Sequence, residues 1–461
     1  MMVNTRVPGW VWAVLVCAHL GALGWSVNNR SWNFTDTGRY IQAAENLRQY
    51  GQLFARPWTG NIPRGQAVQE FTIRPVGYPL VVWGLNGVNG AGGWPVILLV
   101  FQNLLSLLNL GVVLDWWARA EKLKTVHWIW AVAGILTFPA QLIYANAVMS
   151  EMLLQTVVVV LASMSLLFIK TRQKGYFAGA AGMVILALLL KPVFYPLAVV
   201  AVGLGILLAA WQRRLSLALI GVIPLAIVGL YMSWNEQRTG YFHFSSIAEI
   251  NLLQYNAAGV VRQLEGPGAE EKWVDAVLQQ ANAQSDFGAR QRLIRARAGA
   301  MLWAHPMGYA RQQVQGMAAF FTDPGRFDVS QFLGLPPLVG GGLLAQVRAG
   351  TLLRAVTNLP LLLLGGLAIV LLANIVRLVL AVRGFGRLST SGPMLRYGRW
   401  VAVGLLLYVA ILTGPLGAAR FLMPVWPLLL GLALVGLKWG EMPVALGTGQ
   451  VVAGHKKLRE E

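Results

Sequence analysis

Charge is what this chain has least of. Only 12% of its 461 residues are Asp, Glu, Lys or Arg, about half of the ~25% usual in a soluble domain, and that shortage excludes an ordinary water-soluble enzyme. Cysteine is nearly absent. Cys17 stands alone, so no intrachain disulfide can form. No spacing of His, Cys and carboxylates resembles a transition-metal site, and a metal cofactor is not expected. No glycine-rich phosphate loop points to a nucleotide, and no internal repeat is evident.

What is present is apolar sequence. The chain is 56% hydrophobic, and runs of about 20 apolar residues, the length that crosses a ~30 Å hydrocarbon layer, recur along it. The fold class expected is an all-α polytopic membrane protein. Ten spans are expected, at 10–27, 94–116, 127–145, 150–169, 175–190, 193–211, 215–233, 359–382, 400–416 and 421–437. The first follows a short start carrying Arg6. No small-x-small cleavage site follows it, so it reads as an uncleaved anchor and not a signal peptide.

The net charge of +19 does not argue for a nucleic-acid partner, because the basic residues sit in short loops where topology accounts for them. Arg119, Lys122 and Lys124 follow span two. Lys170, Arg172 and Lys174 follow span four, and Arg213 and Arg214 follow span six. Arg383, Arg387, Arg396 and Arg399 follow span eight, and Lys456, Lys457 and Arg459 follow span ten. Every even-numbered exit is basic, which places those loops and both termini in the cytoplasm. Segments 28–93, 146–149, 191–192, 234–358 and 417–420 then face outward from the inner (plasma) membrane. The expected organisation is a transmembrane module over 1–233 that includes the first outer loop 28–93. An outer region follows over 234–358, and helices with a short cytoplasmic tail complete the chain over 359–461.

The first outer loop breaks the rule. It carries Arg30, Arg39, Arg48, Arg56, Arg64 and Arg74 against Asp36, Glu45 and Glu70. An outward loop that stays basic points to an anion, either lipid headgroups or a phosphate ligand. Residues 75–90 are apolar but broken by Pro75, Gly77, Pro79 and Gly84, and read as an interfacial or re-entrant element, since a full crossing there would invert every later loop. Residues 269–283 read as an amphipathic helix and 286–304 as a basic stretch turning apolar. Residues 329–346 read as an apolar segment touching the membrane surface.

The topology gathers Asp36, Arg39, Arg74, Glu151, Lys191 and Arg420 on one side. Each has a plain reading beside the chemical one. Asp36, in DTGRY, precedes a helical run to Tyr50 and suits an N-cap, or a carboxylate held at the membrane surface as a base. Glu151 opens span four after Ser150, where a helix dipole favours an acid. A carboxylate beside hydrocarbon is also costly enough to suggest a function. Lys191 and Arg420 adjoin span ends and either snorkel or clamp a phosphate. His305, in AHPMGYARQ, reads as structural.

Taken in order, the first span, DTGRYIQAAENLRQYG, RPVGYPLVVW, YANAVMSEMLL, AHPMGYARQ and ARFLMPVWPLLL resemble the GT-C membrane glycosyltransferases, the group that includes protein O-mannosyltransferases and lipid A aminoarabinose transferases. The resemblance implies a GT-C-like helical fold with surface helices on the outer face. It also implies transfer of a sugar from a polyprenyl-phosphate carrier to a glycan, lipid or protein acceptor at that face, with the carrier lipid as partner. By the same resemblance, Asp36 matches the catalytic or acceptor-positioning carboxylate, Glu151 the second acidic position, and Arg39 a contact to the carrier phosphate. Arg74 matches the basic residue before a Pro, and Arg420, Phe421 and Pro424 match the C-terminal Arg-aromatic-x-x-Pro motif. Two departures stand out. Ile73 occupies a place that is acidic in some relatives, and no soluble outer domain follows the last span, so acceptor recognition would fall on 234–358.

The chemistry suits these residues on its own terms. A lipid-linked sugar phosphate carries its leaving group ready-made. It needs a base for the acceptor hydroxyl and cations for the departing phosphate. Asp36 and Glu151 are the candidate catalytic residues, and Arg39, Arg74, Lys191 and Arg420 the candidate phosphate ligands. The competing readings are a lipid or polysaccharide transporter or flippase, which would place ionisable groups at mid-membrane, and a polysaccharide polymerase or ligase using a lipid-linked oligosaccharide.

Overall fold

A computed structural model of the chain describes residues 6–61, 63–85, 95–120, 123–335 and 360–437. All regular structure among them is helical. From the N-terminus run α1 (Gly9–Asn29), α2 (Thr37–Tyr50), α3 (Gly77–Gly84), α4 (Val96–Ala120), α5 (Thr125–Leu136), α6 (Pro139–Ala145), α7 (Glu151–Thr171), α8 (Lys174–Leu190), α9 (Tyr195–Gln212) and α10 (Leu215–Thr239). Then come α11 (Ile247–Asn251), a π-helical turn over Leu252–Ala257, α12 (Ala258–Glu265), α13 (Pro267–Asn282), α14 (Phe287–Ala304), α15 (Pro306–Thr322) and α16 (Arg326–Phe332). The last are α17 (Leu361–Arg387), α18 (Pro393–Thr413), α19 (Ala419–Leu422) and α20 (Trp426–Gly436).

Among the described residues, eight helical stretches are long and apolar enough to cross a membrane. The bent pair α5–α6 makes a ninth, and α8, over the run expected as span 175–190, is a shorter apolar helix of 17 residues, so the count is close to the ten expected. Helix is the form such segments must take, because hydrocarbon offers the backbone no hydrogen bonds. Large side chains such as Leu204, Leu207, Leu230, Ile369 and Leu372 stay exposed on the outside of the bundle, as a lipid-facing surface requires. The interior is built on α4, α7 and α20, where Trp117 and Trp426 are fully buried.

The run 75–90 is described as far as Leu85. There it forms the eight-residue α3, too short to cross. The amphipathic stretch 269–283 is α13, and 286–304 is α14. Most of 329–346, together with Lys122, Lys456, Lys457 and Arg459, lies outside the described residues.

One break shapes the functional end. The α5–α6 pair bends by 59° at Thr137 and Phe138, where Pro139 supplies no N–H. Arg377 on α17 stabilises the break by donating to the Thr137 carbonyl at 2.5 Å and to its hydroxyl at 3.0 Å. Phe138 stacks flat on Trp426, with centroids 4.6 Å apart, a contact worth about 0.5–1.5 kcal/mol beyond its buried area. Turned by this bend, α6 delivers Tyr144 and the loop that leads into α7.

Candidate active site

The loop before α7 is held in place by polar side chains on α4. Gln102 donates to the Ala147 carbonyl at 2.7 Å, and Asn103 donates to Asn146 at 2.8 Å. Tyr78 on α3 donates to Gln102 at 2.8 Å. The segment leading to Asp36 is stitched to the same loop. Val148 N–H donates to the Trp32 carbonyl at 3.0 Å, Thr37 hydroxyl to the Val148 carbonyl at 3.2 Å, and Ser26 hydroxyl to the Asn146 carbonyl at 2.8 Å. These bonds bring the start of α2 beside the start of α7, and therefore Asp36 beside Glu151.

The two remaining segments of the site arrive by close backbone packing. A Cβ on Gly77 would lie 2.5 Å from the Leu189 carbonyl oxygen. Only glycine therefore lets α3 press on the end of α8, which sets Arg74 near Lys191. Gly316 on α15 and Gly417 approach backbone to backbone in the same way. That contact seats the turn before α19, and Asp323 then accepts the Ala419 N–H at 2.8 Å, capping the helix that carries Arg420. One turn into α7, Gln155 donates to the Met423 carbonyl at 2.8 Å, so Glu151 and Arg420 are fixed in register.

Five of the six singled-out residues meet. Arg74 donates to Asp36 Oδ1, and Arg420 Nη2 to Asp36 Oδ2 at 2.7 Å. Arg420 Nε donates to Glu151 Oε1, which also receives Lys191 Nζ at 2.7 Å. Asp36 makes no side-chain cap bond at α2, nor does Ser150 at α7, while Glu151 stands in the first turn of α7, where the helix dipole favours an acid. Burial alone would raise the Asp36 carboxyl, but Arg420 and Arg74 outweigh it and hold the group down at about 2. Arg39 goes elsewhere. It pairs with Glu70 at 3.3 Å, and Glu70 also receives Arg56 at 3.3 Å.

Within these five residues three cations meet two carboxylates, and Asp328 stands beyond them within the reach of Arg420. The Glu151 side chain is 1% exposed, whereas Lys191 is 17% and Arg420 22% exposed, so the cations are the part open to a visitor. Glu151 Oε2 and Arg74 Nε are buried without a hydrogen-bond partner, and buried polar atoms are seldom left so. Among the described residues, no group of three or more His, Cys, Asp or Glu side chains could hold a metal.

Several contributors escaped the sequence reading. Tyr40 lies under Arg74, with the guanidinium 5.4 Å from its ring centroid; its place directly after Arg39 was the available signal. Tyr144, Asp323 and Asp328 join the surroundings of Arg420. The two aspartates flank a Pro-Gly turn in TDPGRFD, and only that flanking marked them.

No known family pattern matches the chain, and no curated protein matches it. Among solved structures, it is similar to ArnT from Cupriavidus metallidurans in the apo state. Identity is 19% over 93% of this chain and 78% of that one, with a TM-score of 0.35. It is also similar to the same protein bound to undecaprenyl phosphate, with 17% identity over 93% of this chain and 77% of that one and a TM-score of 0.38. ArnT is a lipid A aminoarabinose transferase of the GT-C group, the group that the motifs resemble. At so loose a superposition, the five-residue cluster has to be read from its own geometry.

Proposed function

We propose that this chain transfers a sugar from a polyprenyl-phosphate carrier to an acceptor hydroxyl at the outer face of the membrane, with inversion at the anomeric carbon. The observation that supports the reading is the cluster of Arg74, Lys191 and Arg420 around Asp36 and Glu151 at the end of a helical bundle, its cations more exposed than Glu151. A sugar phosphodiester carries one negative charge and would pair with those cations. The departing phosphate gains a second charge, and preorganised cations stabilise that gain more than the ground state, which is what lowers a barrier.

Arg420, whose fork reaches both acids, and Lys191 bind the phosphate, with Arg74 on the far side of Asp36. Arg39, one-third exposed on Glu70, meets the headgroup at the rim. Glu151 holds Lys191 and Arg420 in place, and its unpaired Oε2 accepts a hydroxyl of the sugar. Asp36, ionised and gripped at both oxygens, orients the acceptor and the two guanidinium groups. The segment between α10 and α17 recognises the acceptor.

The test is equilibrium binding of undecaprenyl phosphate to the protein in lipid nanodiscs. Wild type should bind saturably and with salt sensitivity. Arg74→Ala should bind about tenfold or more weakly, since hydrogen bonds to a charged group contribute about 1.5–3 kcal/mol. Equal affinity would remove Arg74 from the site, and no binding by wild type would remove the phosphate reading altogether.

A further inference from the structure

A third carboxylate faces this site from α16. That helix hangs from the first span and its exit at two points. Trp25 Nε1 donates to the Phe332 carbonyl at 2.8 Å, and Gln331 donates to the Asn33 carbonyl at 2.9 Å. Asn33 lies three residues before Asp36. The α16 helix also packs on α6, whose Tyr144 rests against Phe34 with ring centroids 5.8 Å apart. The Asp328 carboxylate on α16 faces the Tyr144 hydroxyl. Tyr144 is fully buried, and Asp328 is the hydrogen-bond partner that its hydroxyl faces. Arg420 on α19, Glu151 on α7 and Asp323 in the turn before α16 all act on Asp328 through space.

A buried phenol set against a carboxylate at the edge of a cationic cluster offers a donor and an acceptor to one more hydroxyl. We propose that Asp328 is the proton acceptor of the transfer and that Tyr144 holds the acceptor hydroxyl against it. The proposal rests on the sugar-transfer reading above. In the step, the acceptor oxygen forms its bond to the anomeric carbon while the bond from that carbon to the phosphate oxygen breaks. The leaving polyprenyl phosphate keeps the electron pair, beside Arg74, Lys191 and Arg420. The hydroxyl proton passes to the Asp328 carboxylate, and nothing is oxidised or reduced.

Asp36 and Asp328 are suited to different work. Each Asp36 oxygen is held by a guanidinium, which makes the group a firm anchor and a weak base. Asp328 has no ion pair among the described residues, and burial, against the pull of Tyr144 and Arg420, pushes its carboxyl up to about 6. A base with affinity near working pH transfers protons best.

The test uses full-length protein in nanodiscs. The donors are undecaprenyl-phosphate-linked mannose, glucose and aminoarabinose, and the acceptors are lipid A, a serine-containing peptide and a glycan. For wild type, kcat/KM should fall on the acid side with a midpoint near pH 6. Asp328→Asn should bind undecaprenyl phosphate as wild type does, turn over 100-fold or more slowly, and lack the acid limb. Asp328→Glu should recover part of the rate. An Asp328→Asn variant with more than about a tenth of the wild-type rate and an intact acid limb, against that expected loss, would overturn the proposal while leaving sugar transfer standing. Loss of carrier binding in the same variant would assign Asp328 a structural role and overturn it too. No transfer by wild type from any donor would overturn the parent reading and this one with it.

Discussion

Asp36 and Glu151 share one guanidinium. Arg420 donates from Nη2 to Asp36 at 2.7 Å and from Nε to Glu151, so the start of α2, the start of α7 and the short α19 are locked at one point. Lysine could not replace it, because a single ammonium lacks the planar fork that reaches two acids at once.

Glu151 is the buried member of that lock. Removing one partner of a buried ion pair leaves the other charge uncompensated, at a cost of about 3–5 kcal/mol. Glu151→Ala should therefore lower the thermal unfolding midpoint markedly. Glu151→Gln retains an acceptor oxygen for Lys191 or Arg420 and should lower it less. Equal midpoints for wild type and Glu151→Ala would show that the pairs contribute nothing to the fold.

Asp323 acts on Arg420 without touching its side chain, by capping Ala419. Asp323→Ala should cost about 1 kcal/mol of stability, the usual value of a lost cap. It should also weaken undecaprenyl-phosphate binding, because Arg420 loses its fixed position. Asp323→Asn keeps a side-chain oxygen and should restore binding. If Asp323→Asn and Asp323→Ala bind the carrier alike, the cap does not position Arg420.

The two acids impose opposite pH slopes on stability. The carboxyl of Asp36 sits at about 2, below its unfolded value of 3.8, so its contribution is present above pH 4 and is lost as pH falls toward 2. Asp328 is raised to about 6 from 3.8, so its folded state favours the proton and stability falls as pH rises from 4 to 6. Unfolding midpoints measured from pH 3 to 8 should show both slopes. Asp328→Asn should abolish only the upper one, and persistence of that slope in the variant would assign it to another group.

Much of the fold was legible because crossing a membrane leaves a coarse mark. Apolar runs such as Leu215–Thr239 have the length the bilayer demands, whereas the break before Pro139 was read through as one span, 127–145. The acids were legible because Asp36 and Glu151 stand at the edges of apolar runs. Their partners were only partly so. Arg74, Lys191 and Arg420 stand together around Asp36 and Glu151, but Arg39, three residues from Asp36, points instead to Glu70, since one turn of helix separates direction from proximity. Asp328 was invisible as a site residue, because its relation to Tyr144 depends on how α16 hangs from Trp25 and Asn33, contacts that no local pattern encodes. The polar struts Gln102, Asn103 and Gln155 looked like interruptions in apolar helices, and only the packed bundle shows which carbonyls they serve.

The most direct measurement of the central claim is turnover by wild type and Asp36→Asn, with an undecaprenyl-phosphate-linked sugar as donor and carrier binding followed in parallel. Asn keeps the size of the side chain but gives up the charge that grips Arg74 and Arg420, and misplacing reacting groups by about 1 Å costs on the order of 100-fold. The account predicts that wild type converts the donor to free carrier and an inverted product. It predicts that Asp36→Asn still binds the carrier and turns over about 100-fold or more slowly. An Asp36→Asn variant that binds the carrier and keeps more than about a tenth of the wild-type rate, where ~100-fold is expected, would contradict it.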